Sequence, residues 1–248
     1  MNLKAVVAAL GLAGVTLGAQ AGLAVFTGMQ GNGESGAANG AFTQFSSGTV
    51  LTTGSLKQDD LEAYVPSATV PLALKFGGDP FNPADPTYAT VSAGGNKIVE
   101  TATSGRHSVG GGSQYWDAAD SFEISFTSAI TAFGFWVTDL GDFGDGGAGG
   151  ALTITLMNGN ATVGTRTISG GTDGNEIFWG AVLTGGDQIT SISFSRSNAT
   201  TDGVGFDLFS IGKVNDSFEP PPNPTPEPGS LALLGLALAG LAAARRRR

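Results

Sequence analysis

Ser121-Phe122-Glu123-Ile124-Ser125-Phe126, followed shortly by Ile130-Thr131-Ala132-Phe133-Gly134-Phe135-Trp136-Val137-Thr138, is the stretch that decides the fold. In its first half Phe122, Ile124 and Phe126 alternate with Ser121, Glu123 and Ser125. That period of two is the mark of a strand with one buried and one wet face. The second half is more apolar, with Phe133, Phe135 and Val137 on one face and Trp136 on the other. Two adjacent strands, one half-wet and one apolar on both sides, point to a sheet-based domain.

The pattern continues downstream. Leu152, Ile154 and Leu156 alternate with Thr153 and Thr155, and Asn158-Gly159 turns the chain into Ala161–Ile168. Glu176–Leu183 and Ile189–Arg196 read as further strands, with Ile192 and Phe194 inward, and Gly203–Ile211 closes the series. Turn signals recur at about the 8–12 residue spacing of a sandwich. Upstream the signal weakens. Thr87–Ala93 and Asn96–Thr103 flank Gly94-Gly95, which predicts a tight hairpin. Pro71–Phe76 reads as a short strand, and Asp59-Asp60-Leu61-Glu62 as the opening of a helical turn. Gly22–Lys57 shows no period. The expected fold is all-β: an antiparallel β-sandwich, jelly-roll-like, over residues 22–214. Its best-patterned part is 115–212, its first third is irregular, and no helix exceeds a turn or two.

One domain of this length buries a sizeable core. With no cysteine, that core has no disulfide support. The 40 glycines are interleaved with valine, isoleucine, phenylalanine and threonine, which suits short strands and turns rather than a flexible polymer.

Both ends carry export signals. Met1-Asn2-Leu3-Lys4 is a short positive region, Ala5–Leu17 is apolar, and Ala19-Gln20-Ala21 is a small-x-small cleavage pattern. Residues 1–21 therefore read as a signal peptide cut before Gly22 by signal peptidase. At the far end, residues 215–225 form a proline-rich linker. Pro226-Glu227-Pro228 follows, then an uncharged run over 229–244, then Arg245, Arg246, Arg247 and Arg248. As a helix, 229–244 would reach about 24 Å against a hydrocarbon core of about 30 Å, a short span helped by arginines at the headgroups. The arginines belong on the cytoplasmic side, which leaves the body outside the cytoplasm. Removing Lys4 and the terminal arginines leaves seven basic residues, and removing Glu227 leaves 20 acidic ones, about −13 for the mature chain. That charge disfavours nucleic acid and anionic membrane surfaces as partners.

The order Pro226-Glu227-Pro228, Leu231–Leu241, Arg245–Arg248 resembles the PEP-CTERM sorting signal of Gram-negative bacteria. The resemblance implies a tail at 226–248 that is read by exosortase, a membrane-embedded protease-transpeptidase. It also implies a precursor held transiently in the inner membrane and a mature form at the cell surface or outside the cell. A plain C-terminal membrane anchor is the alternative. A second resemblance runs over Tyr115-Trp116, Asp120-Ser121-Phe122, Phe133-Gly134-Phe135, Thr138-Asp139-Leu140-Gly141-Asp142-Phe143 and Gly205-Phe206-Asp207. These segments are similar to the bodies of uncharacterised PEP-CTERM proteins, which implies a secreted sandwich with no established catalytic activity.

Candidate chemistry is sparse. With one histidine, His107, and no cysteine, zinc sites built on several nitrogen or sulfur ligands are excluded. No glycine-flanked serine elbow accompanies His107, which reads as an exposed loop residue. Asp139, Asp142 and Asp145 recur every third residue among glycines, an arrangement able to converge on an oxygen-loving ion such as Ca²⁺. The spacing is not that of an EF-hand, and a solvated turn is the alternative. Asp207 is placed by alternation on the face opposite Phe206 and Leu208, from which it would complete a site with Asp139 or Asp142. Asp117 and Asp120 are further acidic candidates. Tyr115, Trp116, Trp136 and Trp179 are either core residues or a sugar-stacking platform. The expected function is that of a non-catalytic surface or matrix protein associated with exopolysaccharide or envelope. The alternative is a secreted glycan-active enzyme using acidic residues such as Glu123 and Glu176, which would have to lie about 5–9.5 Å apart.

Overall fold

The computed structural model describes residues 22–30, 40–69, 71–76, 88–92, 97–102, 105–110, 112–118, 121–141, 150–170, 174–196 and 203–220. The signal peptide, the sorting tail with its 229–244 helix, and Asp142 and Asp145 lie outside the described residues.

Thirteen strands and one short helix make up the described chain. They run β1 (Leu23–Gln30), α1 (Gly40–Phe45), β2 (Lys57–Asp59), β3 (Leu72–Lys75), β4 (Tyr88–Ser92), β5 (Lys97–Val99) and β6 (Tyr115–Ala118). Then come β7 (Phe122–Ile130), β8 (Ala132–Thr138), β9 (Ala151–Asn158), β10 (Ala161–Ser169), β11 (Glu176–Leu183), β12 (Ile189–Arg196) and β13 (Val204–Gly212). One sheet has the order β1-β11-β8-β13-β6-β5, with β2 also on β13; the other has the order β10-β9-β12-β7-β4-β3. Every pairing is antiparallel. From β7 to β13 the chain passes repeatedly between the sheets, the winding of an antiparallel sandwich.

The main core lies between the sheets. Phe122 and Phe194 stack with ring centroids 4.4 Å apart, and Phe135 and Phe206 meet them edge-on at 5.3 and 5.0 Å. Offset and edge-to-face contacts of this kind suit the aromatic quadrupole. A second, smaller core covers the outer face of the first sheet. There Trp136 and Phe178 lie under Phe42 and Phe45 of α1, together with Phe26 and Val182. This explains why β8 and β11 are buried at every position. A strand covered on both faces loses its hydrophobic alternation. Gly134 and Gly180 face each other in register and make the floor of this second core. A Cβ on Gly180 would stand 2.8 Å from the Phe45 ring and 2.9 Å from Phe178, so the rings settle there only over bare backbone.

Four sequence expectations are corrected. The first third is not irregular throughout: β1 pairs along its whole length with β11. It shows no period because Ala24 and Phe26 enter the second core while Leu23 and Val25 pack on the first. Gly94-Gly95 does not join a hairpin, since β4 pairs with β3 and β7 in one sheet and β5 with β6 in the other. Local turn chemistry carries no information about which sheet each flank joins. Asp59–Glu62 does not open a helix. Asp59 ends β2, its carboxylate accepts the Leu61 N–H at 2.9 Å, and Leu61 turns with φ 64°. Lastly, Phe206 and Leu208 do not share a face. The register slips between Asp207 and Ser210 with Leu208 at φ 46°, so Phe206 and Phe209 enter the main core and Leu208 the second.

Candidate functional site

At one end of the first sheet, Glu176, Thr138 and Gly205 stand side by side on β11, β8 and β13. Residues 105–109 cross over this row. The His107 N–H donates to Thr138 Oγ1 and the Thr138 hydroxyl contacts the His107 carbonyl, both at 3.3 Å. His107 Nδ1 lies 2.7 Å from the Gly105 carbonyl, and Nε2 lies 2.8 Å from Glu176 Oε1. A carbonyl only accepts, so Nδ1 is the donor in the contact with Gly105. His107 is therefore a clasped, part-buried residue rather than an exposed loop histidine: 17% of its side chain is accessible, against 4% for Glu176. Beside it Arg106 pairs with Asp117 at 2.8 Å.

The acidic candidates are engaged separately. Asp139 sits in the left-handed region at φ 65°, and its Oδ1 accepts the Gly174 N–H at 3.0 Å. Asn175 latches the same turn by donating Nδ2–H to the Leu140 carbonyl at 2.9 Å. Asp207 lies in another network, where Oδ2 accepts the Val109 N–H at 2.7 Å and the Ser108 hydroxyl at 3.1 Å, and Oδ1 accepts the Leu208 N–H at 2.7 Å. Burial nonetheless pushes its carboxyl up to about 8, with the Glu62 charge adding to the effect and the three donors opposing it. Glu62 shows the reverse balance. Burial raises its carboxyl, but donors from Gln114 and Ser113 outweigh that and hold it below the usual carboxylate value. The structure thus brings together His107 with Glu176 and Arg106 with Asp117. Asp139 and Asp207 each accept from backbone donors near them, and Asp120, Asp142 and Asp145 lie outside the described residues. Among the described residues no three His, Asp or Glu side chains converge as metal ligands would.

Two further sequence readings meet the geometry here. Tyr115, Trp116, Trp136 and Trp179 are each at most 1% exposed, so they are core and offer no stacking platform. Glu123 projects from the outer face of the second sheet, whereas Glu176 projects from the outer face of the first. Facing sheets stand about 10 Å apart, and both side chains point away from the interface, so this pair does not flank a single sugar bond. The His107–Glu176 pair went unread because its members are 69 residues apart and no local pattern links them.

Among the described residues the outer face of the second sheet is open to solvent. Thr165, Thr155, Ser193, Glu123 and Ser92 form one row across five strands. Met157, Ser191, Ser125 and Thr90 form the next, and Thr167, Thr153 and Ser195 flank the first row on its other side. All these side chains are at least partly accessible. Hydroxyls therefore repeat about every 4.8 Å across strands and about every 6.7 Å along them. In these rows Glu123 is the only acidic or basic residue, although the chain as a whole is acidic.

Residues 224–248 match the PEP-CTERM protein-sorting motif. The chain carries a PEP-CTERM sorting signal. The match takes in Pro226, Glu227, Pro228 and the four terminal arginines, as the sequence reading placed them. A PEP-CTERM signal implies an exported protein whose membrane-anchored precursor is processed by exosortase. Among the described residues no helix is long and apolar enough to cross a membrane, and the 229–244 run lies outside them.

No curated protein matches the chain significantly. Three solved structures are similar to part of this chain. One is an arabinose-bound MgGH51 α-L-arabinofuranosidase, at 11% identity over 64% of this chain and 28% of that one, with a TM-score of 0.35. Another is the CBM22-1–GH10 part of xylanase 10B from Clostridium thermocellum with xylohexaose, at 11% identity over 63% and 28%, with a TM-score of 0.32. The third is TmCBM61 with β-1,4-galactotriose, at 12% identity over 49% and 88%, with a TM-score of 0.19. The chain thus spans under a third of the first two. Similarity at this level assigns neither a ligand nor a reaction to this chain.

Proposed function

We propose that this is a non-catalytic surface or matrix protein whose body associates with exopolysaccharide or other neutral envelope polymers. Signal peptidase cuts before Gly22, and exosortase reads the tail at Pro226–Pro228. The body then stays outside the cytoplasm. The observation that carries the reading is the hydroxyl face of the second sheet. Serine and threonine both donate and accept, as sugar hydroxyls do. Each such bond contributes only about 0.5–1.5 kcal/mol net, because water competes for it. A face of this kind therefore grips a polymer through many weak, repeated contacts, which suits association with a matrix.

Affinity electrophoresis of the mature protein through gels containing neutral bacterial exopolysaccharide tests this. Retardation is expected, and Thr155→Val combined with Ser193→Ala, which removes two central hydroxyls, should weaken it about tenfold. Unretarded migration on every polymer, or equal retardation of the variant, would overturn the reading. Separable from this reading is a proposed cation, such as Ca²⁺, at Asp139 with Asp142 and Asp145. Added millimolar Ca²⁺ should raise the Tm of the wild type but not of Asp139→Asn/Asp142→Asn; a wild-type Tm that does not move removes the ion.

A further inference from the structure

The two ends of the described chain meet. The Gly22 carbonyl accepts the Thr184 N–H at 2.9 Å and the Thr184 hydroxyl at 3.1 Å, next to the Leu23–Leu183 pairing that starts β1. A Cβ on Gly22 would stand 2.3 Å from Thr184 Oγ1 and 2.9 Å from Pro220 Cγ, so Gly22 sits against the last described residue. The C-terminal segment is held at this same pole. Val214 N–H donates to Thr131 Oγ1, Asn215 N–H donates to the Val50 carbonyl, and the Phe218 ring lies 6.4 Å from Phe26. The segment leaves the fold from a defined place rather than from a loose end.

Chain length limits how far this pole can stand from the two apolar segments. Nine Cα–Cα steps separate Pro220 from Gly229, where the uncharged run begins, and they span at most about 32 Å. Five separate Leu17, the end of the apolar leader, from Gly22, and they span at most about 18 Å. We infer that the pole formed by Gly22, the 184–188 turn and residues 213–220 is the membrane-facing base of the precursor. The inference rests on the sorting reading above. The bilayer is the partner, and the domain stands on it with its strands rising away. The end that carries His107 and Glu176 is presented outward, a strand length of about 25 Å further out. Both processing sites then lie beneath one base, within reach of enzymes embedded in the same membrane. The Asp187, Asp216 and Glu219 carboxylates at this pole oppose adhesion of the base to anionic headgroups, so the tethers hold it without sticking.

The absence of cysteine allows a direct test. Exposed Gln188 lies at the proposed base, and exposed Ser169 at the far end of β10. Full-length precursor bearing Gln188→Cys or Ser169→Cys, labelled with a donor dye, is reconstituted into phosphatidylethanolamine–phosphatidylglycerol vesicles carrying a headgroup acceptor. Co-flotation with the vesicles is expected, together with clearly greater energy transfer from position 188 than from 169. Flotation with equal or reversed transfer overturns the orientation alone. Failure to float overturns the anchoring on which it rests.

Discussion

Replacing Trp136 by alanine should destabilise the mature domain by about 3–5 kcal/mol, the range for emptying a fully buried aromatic site. For a domain of this size that corresponds to a fall in Tm of roughly 10 °C or more. Trp136 is 0% exposed and packs between Phe42 and Phe178, 6.0 and 5.4 Å from their ring centroids. It therefore holds α1 onto the outer face of the first sheet. Its indole N–H has no hydrogen-bond partner among the described residues. Trp136→Phe removes that unsatisfied donor along with part of the ring, so it should lose much less stability than alanine. Denaturant unfolding of the three proteins checks both statements. An alanine variant as stable as the wild type would mean that the second core contributes nothing.

The second large effect is an alkaline loss of stability through Asp207. Its carboxyl is pushed from an ordinary value of 3.8 up to about 8 by burial. Between those values the folded chain holds a proton that the unfolded chain has released. The contribution is thus fully present below about pH 4 and is lost as pH rises through about 8. A difference of about four units corresponds to an upper bound on the order of 5 kcal/mol. The protonated carboxyl keeps its network, because Oδ2–H can donate to Ser108 Oγ while still accepting from Val109. Asp59, also raised by burial, adds a contribution of the same sign. The wild type should therefore be several kcal/mol weaker at pH 8.5 than at pH 5, and Asp207→Asn should flatten most of that slope. A wild-type stability equal at the two pH values would remove Asp207 from the account.

Much of the sandwich was legible from alternation. Glu176–Leu183 and Ile189–Arg196 fall where the pattern placed them, and Trp136 points away from Phe133 and Phe135 as expected. Alternation reports burial on one face, so it failed where both faces or both cores were involved. β1 contributes to two cores and shows no period, and Leu208 leaves its parity because a register slip intervenes. The site was less legible. Carboxylates that looked available in a glycine-rich sequence are engaged by backbone donors, as Asp139 is by Gly174 and Asp207 by Val109.

By itself the sequence determined that the chain carries a PEP-CTERM sorting signal. That tail is a linear motif, legible from residue order without any fold. The sequence also determined that the body is made of strands, since a period of two is a local property of the backbone. Only the tertiary structure decided which side chains share a surface. Pairing across strands put the serines and threonines of β9, β10 and β12 into one hydroxyl face, joined His107 to Glu176, and seated Gly22 against Pro220. Those contacts join residues scattered along the chain, and register, twist and packing settle them together.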